Sequence, residues 1–158
     1  MKYDIENFHS DILGIIQNEL PTKLSEISTE KGDGIVIPVA DNSDYYDSLS
    51  NEIINSYPFV FHGVSNVDTK SDSYTEEKIE LFFDVCFLNE ENEDNSNLFK
   101  IALRYNRALK EILDEKNTRI AQVSRLEVKE LPPRDMKLLD QEEVYKTCGV
   151  IVSANLVG

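Results

Sequence analysis

The side chains best suited to catalysis are few in this sequence and stand apart from one another. Its only histidines are His9 and His62, and its only cysteines are Cys86 and Cys148. Nucleophilic catalysis needs a base within hydrogen-bond reach of a serine or cysteine, and no GxSxG-like motif lies near either histidine. A structural zinc ion needs four nitrogen or sulfur ligands, usually in closely spaced pairs. We therefore interpret the histidines as surface or half-buried residues and the cysteines as buried free thiols.

Signals for other cofactors are equally weak. Gly32-Asp33-Gly34 is followed neither by GK[ST] nor by the third glycine of a dinucleotide fingerprint, and it is better suited to ending a helix. Acidic stretches at 41–44 and 90–94 lack the central glycine and terminal glutamate of an EF-hand loop. The sequence therefore predicts no cofactor, no metal and no enzymatic activity. A paired-carboxylate hydrolase stays open as the enzyme alternative, because such a pair cannot be recognised without geometry.

The charge balance argues against nucleic acid as a partner. The 158 residues include 30 acidic and 16 basic ones, giving a formal net charge of −14. Binding to phosphates needs clustered lysine and arginine, and no such cluster occurs. No segment approaches the roughly 18 apolar residues of a membrane helix, and the first residues do not follow the pattern of a secretion signal. We expect a cytoplasmic protein that binds neither specific nucleic acid sequences nor membranes.

Two helices are indicated by apolar residues that recur every three or four positions. The first begins near Ile5, and Pro21 predicts a kink or a split in it, because proline clashes in a helix interior. The second spans residues 97–115 and has the clearer pattern, with Arg104 on its predicted exposed side. Residues 45–57 have a weakly helical pattern.

Strands are indicated by alternating or β-branched apolar runs. The strongest occupies residues 75–88 and predicts one fully apolar face and one partly covered face. Weaker strands are predicted over residues 35–39, 58–64, 119–129 and 144–156, the first two at sheet edges. This order of elements predicts one α+β domain over residues 1–158, with a mainly antiparallel sheet packed against two main helices.

Six segments carry a recognisable overall pattern. They are the N-terminal amphipathic helix, a short early strand, the long apolar strand at 76–88, a polar loop, a helix reading LFKIALRYNRALKEIL and a closing strand reading YKTCGVIVSANL. Over nearly the whole chain this pattern resembles the tail-terminator family of long-tailed bacteriophages and related tail-completion proteins. The resemblance implies an α+β protein with no enzymatic activity and no cofactor.

The resemblance also implies partners and a location. A tail terminator forms a hexameric ring on the last ring of the tail-tube protein, stops tube growth and offers its other face to the head-completion (stopper) protein. It is a virion protein at the head-proximal end of the tail, assembled in the host cytoplasm. The acidic balance would then suit the lining of a channel through which DNA slides without binding.

Ring formation requires protein-binding surfaces. The candidates are the half-apolar strand faces, an aromatic segment and the polar loops 67–75, 89–96 and 131–141, of which the last is favoured. The predicted contact residues are Tyr57, Phe59, Phe61, Pro132, Pro133, Met136, Leu138 and Leu139. The first three form an aromatic segment, and aromatic side chains are enriched at interface centres. The others lie in residues 131–141, a predicted polar loop that two prolines stiffen before an apolar patch. Ordinary core packing is the alternative interpretation of the aromatic segment.

Two further functions are compatible with the same residues. One is another head-tail joining protein or stopper, which would share the small α+β ring architecture. The other is an acidic inhibitor-type binding protein, which would match a basic partner and imitate nucleic acid. The effect of salt distinguishes the inhibitor from a ring-forming protein, because charge-driven inhibition weakens sharply as ionic strength rises, whereas a ring built on apolar contacts does not.

Overall fold

The order of helices and strands is that of a single sheet covered by two helices. The computed structural model describes residues 2–49, 58–69, 76–88, 96–116, 120–137 and 144–157. The elements are α1 (Ile5–Lys31), β1 (Tyr45–Asp47), β2 (Phe59–Thr69), β3 (Glu76–Leu88), α2 (Ser96–Lys116), β4 (Val123–Lys137) and β5 (Val144–Val157). The strands lie in the order β1-β2-β3-β5-β4, parallel between β1 and β2 and antiparallel elsewhere. The predicted α+β class is confirmed.

One face of the sheet and the two helices enclose the main core. In β3 the alternate residues Ile79, Leu81, Phe83 and Val85 are fully buried against the helices, as the alternation predicts. Fully burying a side chain of this size contributes roughly 1.5–3 kcal/mol to the stability of the fold, so these four residues hold β3 at the centre of the sheet. In the described part of the chain, no helix is both long and apolar enough to cross a membrane.

α1 is one helix that continues through Pro21, so the predicted split is wrong. A capping box fixes its start, since Asp4 Oδ1 accepts from Asn7 N and Asn7 Oδ1 accepts from Asp4 N. A proline in a helix interior costs about 3 kcal/mol. Pro21 lies on the exposed side, while its neighbours Leu20 and Leu24 are buried. Burial of the apolar side therefore outweighs the lost backbone hydrogen bond.

Residues 33–41 form an irregular strap against α2, so the strand predicted over 35–39 is wrong. The buried Tyr105 hydroxyl donates to Pro38 O at 2.5 Å and accepts from Ala40 N at 3.2 Å. Arg104, predicted to be exposed, is buried and forms an ion pair with Asp33 at the start of the strap. Side chains of a distant helix thus take the place of a strand ladder, and no local pattern in the sequence reveals this.

β1 is the sheet edge that the sequence did not predict. It is three residues long and lies in the segment 45–57 that was expected to be weakly helical, so that expectation is wrong for 45–47. β1 pairs with residues 60–62 of β2, which therefore lie inside the sheet and not at the predicted edge. Residues 50–57 lie outside the described part of the chain.

β4 runs through the two prolines and ends at Lys137, well beyond the predicted end at residue 129. The prediction of a loop is therefore wrong for residues 131–137. β4 is the other edge strand, where a proline removes no N–H that a neighbouring strand needs. Its register with β5 shifts between Leu131 and Arg134, which accommodates Pro132 and Pro133 as an irregularity.

Candidate protein-binding surface

The outward side of α2 exposes two large apolar side chains one turn apart. Phe99 is 60% exposed and Leu103 is 44% exposed, whereas Tyr105 and Leu109 on the inward side are buried. Residues four positions apart lie next to each other on a helix surface, so the two side chains form one patch, here called the α2 patch. Single exposed apolar residues are common, but adjacent ones beside a concave surface are typical of protein contact sites.

A pocket of about 370 Å³ opens beside the α2 patch. The proline irregularity of β4 shapes one wall, and Asn106 Nδ2 holds that strand to the helix by donating to Leu131 O at 2.6 Å. The lining residues are Leu98, Phe99, Ala102, Pro133, Arg134, Asp135 and Lys146. The pocket has room for side chains of a partner, and Pro133 is the predicted contact residue that lines it.

Three basic side chains lie beside the α2 patch and the pocket. Lys100 is exposed on α2, and Arg134 and Lys146 lie in the pocket wall. Arg134 donates to Asp84 Oδ1 at 3.2 Å, and Lys146 is bonded to Asp135. Arg134 and Lys146 thus neutralise nearby carboxylates, and Lys100 adds a positive charge, so on a chain of net charge −14 this surface repels an acidic protein less than a purely acidic surface would.

Two residues of the predicted aromatic contact segment, Phe59 and Phe61, lie on the sheet face away from the helices. Phe59 is fully buried there, and its ring makes edge-to-face contacts with Tyr46 and Tyr145, each at a centroid distance of 6.0 Å. Phe61 and Met136 are half-buried and pack against this cluster. Phe59 therefore stabilises the chain's own packing in this structure, while Phe61 and Met136 keep part of their surface exposed.

The other predicted contact residues are divided between surface positions and undescribed ones. Pro132 is exposed on the edge strand β4, and Pro133 is half-buried beside the pocket. Tyr57, Leu138 and Leu139 lie outside the described residues. The edge of β4 and the α2 patch are therefore neighbouring surfaces, joined by the pocket between them.

The residues with catalytic potential are mostly buried in unreactive surroundings. Cys86 and Cys148 are buried free thiols, as predicted, and burial raises the pKa of both, that of Cys86 to about 12. A thiol with so high a pKa stays protonated and unreactive at neutral pH. Among the residues that the structure describes, no group of three or more His, Cys, Asp or Glu side chains is placed to hold a metal ion.

The two histidines, distant in sequence, meet in the fold. His9 Nε2 lies 2.9 Å from His62 Nδ1, a contact between α1 and β2. This contact could not be predicted from the sequence, because the two positions are 53 residues apart and neither belongs to a motif.

Comparison with known proteins adds no family to this description. The chain was compared with models of protein families and with curated protein sequences, and neither comparison found a match. Function is therefore inferred from the α2 patch, the pocket and the order of the elements.

Proposed function

We propose that this chain is a structural, non-enzymatic protein that assembles head to tail into a ring and closes the end of a bacteriophage tail tube. The observation that carries the proposal is the α2 patch, where Phe99 is 60% exposed beside a pocket of about 370 Å³. Covering apolar surface contributes about 25 cal/mol per Å², so such a patch favours association with another protein. The resemblance in element order supplies the kind of assembly, a tail-terminator ring.

Charge favours a head-to-tail contact between copies. Two chains of net charge −14 repel each other unless a basic surface of one faces an acidic surface of the other. Lys100 lies next to the α2 patch, whereas Glu6, Asp11 and Glu26 are exposed on α1. A contact between different surfaces of neighbouring copies is heterologous, and heterologous contacts form rings when the rotation closes.

The proposed partners lie on the two faces of the ring. One face binds the tail-tube protein and the other binds the head-completion (stopper) protein, which places the chain at the head-proximal end of the virion tail after assembly in the host cytoplasm. The exposed Pro132 and the half-buried Phe61 belong to the surfaces available to these partners. Acidic residues on the channel would let DNA pass without binding.

The assembly state of the purified protein tests this proposal. We expect native mass spectrometry and negative-stain imaging to find hexameric rings at high concentration, either with the protein alone or on tubes of the tail-tube protein. Phe99→Glu should prevent ring formation, because a charge cannot be buried unpaired, and should leave the melting temperature of the monomer unchanged. Val36→Glu is the matched control, since Val36 is 84% exposed and lies outside the α2 patch.

Two results would contradict the proposal. One is a protein that stays monomeric both alone and with tube ends. The other is ring formation that Val36→Glu and Phe99→Glu disturb equally. A monomer that binds a basic protein and loses affinity steeply with salt would instead identify the acidic inhibitor-type protein.

A further inference from the structure

His9 of α1 and His62 of β2 form a hydrogen-bonded pair between the helix and the sheet. Their nitrogens His9 Nε2 and His62 Nδ1 are 2.9 Å apart. The ring of Phe83, from β3, lies close to both, at centroid distances of 6.1 and 6.0 Å. His62 is 5% exposed and His9 is half-buried. In such a pair one ring donates its N–H and the other accepts, so at least one ring must be neutral.

The surroundings of the pair hold little charge that could stabilise two protonated rings. Among the described residues, the charged group whose field reaches both rings is Asp47 of β1, the register partner of His62. Its carboxylate already accepts a hydrogen bond from Leu49 N at 2.9 Å. Burial lowers the pKa of both imidazoles, that of His62 to about 4, where His9 adds to the effect and Asp47 opposes it.

The pair lies where three elements meet. α1 contributes His9, β2 contributes His62, and β1 is the three-residue edge strand beside them. The turn after β1 is joined to the same position of β2, because Ser48 N donates to His62 O at 2.8 Å. A change at His62 therefore acts on the attachment of both α1 and β1.

We propose that the contact between His9 and His62 is a pH-sensitive fastening of the first half of α1 to the β1–β2 edge of the sheet. When one of the two rings is protonated, the pair carries one positive charge and keeps its hydrogen bond. A second proton leaves two N–H donors facing each other with like charges, and the fastening opens. The opening exposes the edge of β2 and the buried side of α1 near Phe8.

The direction of the pH effect follows from proton binding. A histidine whose pKa is lower in the folded chain binds its proton more readily in the unfolded chain, so stability falls as the pH falls below about 6.5. For His62, with an unfolded value of 6.5 and a folded value of about 4, the unfolding equilibrium constant rises about 30-fold at pH 5. Protonation of exposed carboxylates that only repel one another acts in the opposite direction, because it relieves that repulsion.

Nuclear magnetic resonance of the imidazole nitrogens in the full chain tests the pair directly. The chain has 2 histidines, so every imidazole signal belongs to this pair. At neutral pH we expect the nitrogen-15 shifts of two neutral rings, with one N–H proton in the hydrogen bond between them. On acidification, the shifts should show the second ring becoming protonated only well below pH 6.5. Hydrogen exchange of the amides of residues 5–16 and 45–48, corrected for intrinsic rates, should accelerate at pH 5 relative to pH 7.5.

A variant separates this effect from the titration of carboxylates. His62→Gln keeps a polar side chain that can bond His9 but cannot be protonated. Between pH 7.5 and pH 5 we therefore expect the unfolding equilibrium constant, measured in urea, to rise about 30-fold more in the wild type than in the variant. Two rings that titrate independently near pH 6.5 would overturn the proposal, even if the variant failed to fold. Unchanged exchange in residues 5–16 at pH 5 would do so as well.

Discussion

At the scale of single residues, Arg104 and Tyr105 of α2 determine where the strap of residues 33–41 lies. Arg104 pairs with Asp33 at the start of the strap, and the Tyr105 hydroxyl bonds both Pro38 O and Ala40 N further on. The strap belongs to no strand ladder, so these side chains supply partners for backbone groups that would otherwise be left unsatisfied. Removing either side chain should loosen the strap without disturbing the sheet.

Tyr105→Phe is expected to lower the free energy of unfolding by about 1–3 kcal/mol. The change keeps the ring but leaves the buried N–H of Ala40 without an acceptor, and an unsatisfied buried group costs that much. Urea unfolding followed by circular dichroism measures it. Tyr3→Phe is the control, because that hydroxyl bonds the exposed Asp11 and its loss should cost less than about 0.5 kcal/mol. Equal losses in the two variants would refute the role given to Tyr105.

The ion pair of Asp33 makes the stability that the strap contributes depend on pH. Its hydrogen bonds with Arg104 lower the pKa of the carboxyl from 3.8 to about 2. A carboxyl with a lowered folded pKa contributes stability that is present above pH 3.8 and is lost as the pH falls towards 2. We expect the difference in unfolding free energy between the wild type and Asp33→Asn to shrink from pH 5 to pH 2 in urea titrations. A difference that stays constant over this range would rule out the ion pair as its source.

At the scale of elements, the approach of β3 to β5 depends on Gly149. This residue is the register partner of Asp84 at the centre of the sheet. A Cβ at position 149 would lie 2.0 Å from the backbone oxygen of Phe83, which is far inside van der Waals contact. The Asp84 side chain reaches over β5 to Arg134 of β4, so the same position also aligns the ion pair that joins β3 to β4.

The same substitution at two glycines should therefore have opposite effects. Gly149→Ala is expected to destabilise the chain by more than about 2 kcal/mol, because the backbone of β3 must move. Gly14→Ala is expected to stabilise it by about 0.5–1 kcal/mol, since its Cβ meets nothing within 4 Å and alanine favours the helix. Thermal and urea unfolding of both variants measures the two changes. A shift of the same sign in both would contradict this account of the sheet.

The sequence predicted those elements whose own residues determine them. β3 and α2 have long, regular apolar periods, and both were located within a residue or two. The strap failed as a predicted strand because its partners are Arg104 and Tyr105, far along the chain. β4 was predicted too short because Pro132 is harmless only on an edge strand, and the position of β4 in the sheet cannot be read locally.

The candidate binding surface was less predictable than the fold for the same physical reason. The pocket beside Phe99 is formed by residues of β4 and β5 that are distant in sequence, although the position of Phe99 outside the buried side of α2, four residues from Leu103, was a usable signal. Phe59 looked like a contact residue, but Tyr46 and Tyr145 from distant segments bury it. An aromatic cluster is equally consistent with core and interface until its neighbours are known.

At the scale of the whole molecule, net charge opposes both folding and assembly. The formal charge of −14 produces repulsion throughout the chain, and the ion pairs at its surface offset little of it. Arg107 of α2, for example, forms ion pairs at the surface with Glu30 of α1 and Glu111 of α2. Apolar burial in the core must therefore supply most of the stability of the fold, and burial of the α2 patch would have to do the same in the proposed ring.

Added salt should for this reason increase the stability of the folded protein. Raising sodium chloride from about 0.05 M to about 0.5 M shortens the Debye length from roughly 14 Å to roughly 4 Å, which screens the repulsion between exposed carboxylates more than it weakens the few surface ion pairs. We expect the melting temperature to rise over this range, and rings built on the α2 patch to persist or increase in sedimentation experiments. A control with Phe99→Glu should show the rise in melting temperature without the rings. Loss of assembly at high salt would mean that charge, and not the apolar surface of Phe99 and Leu103, holds the copies together.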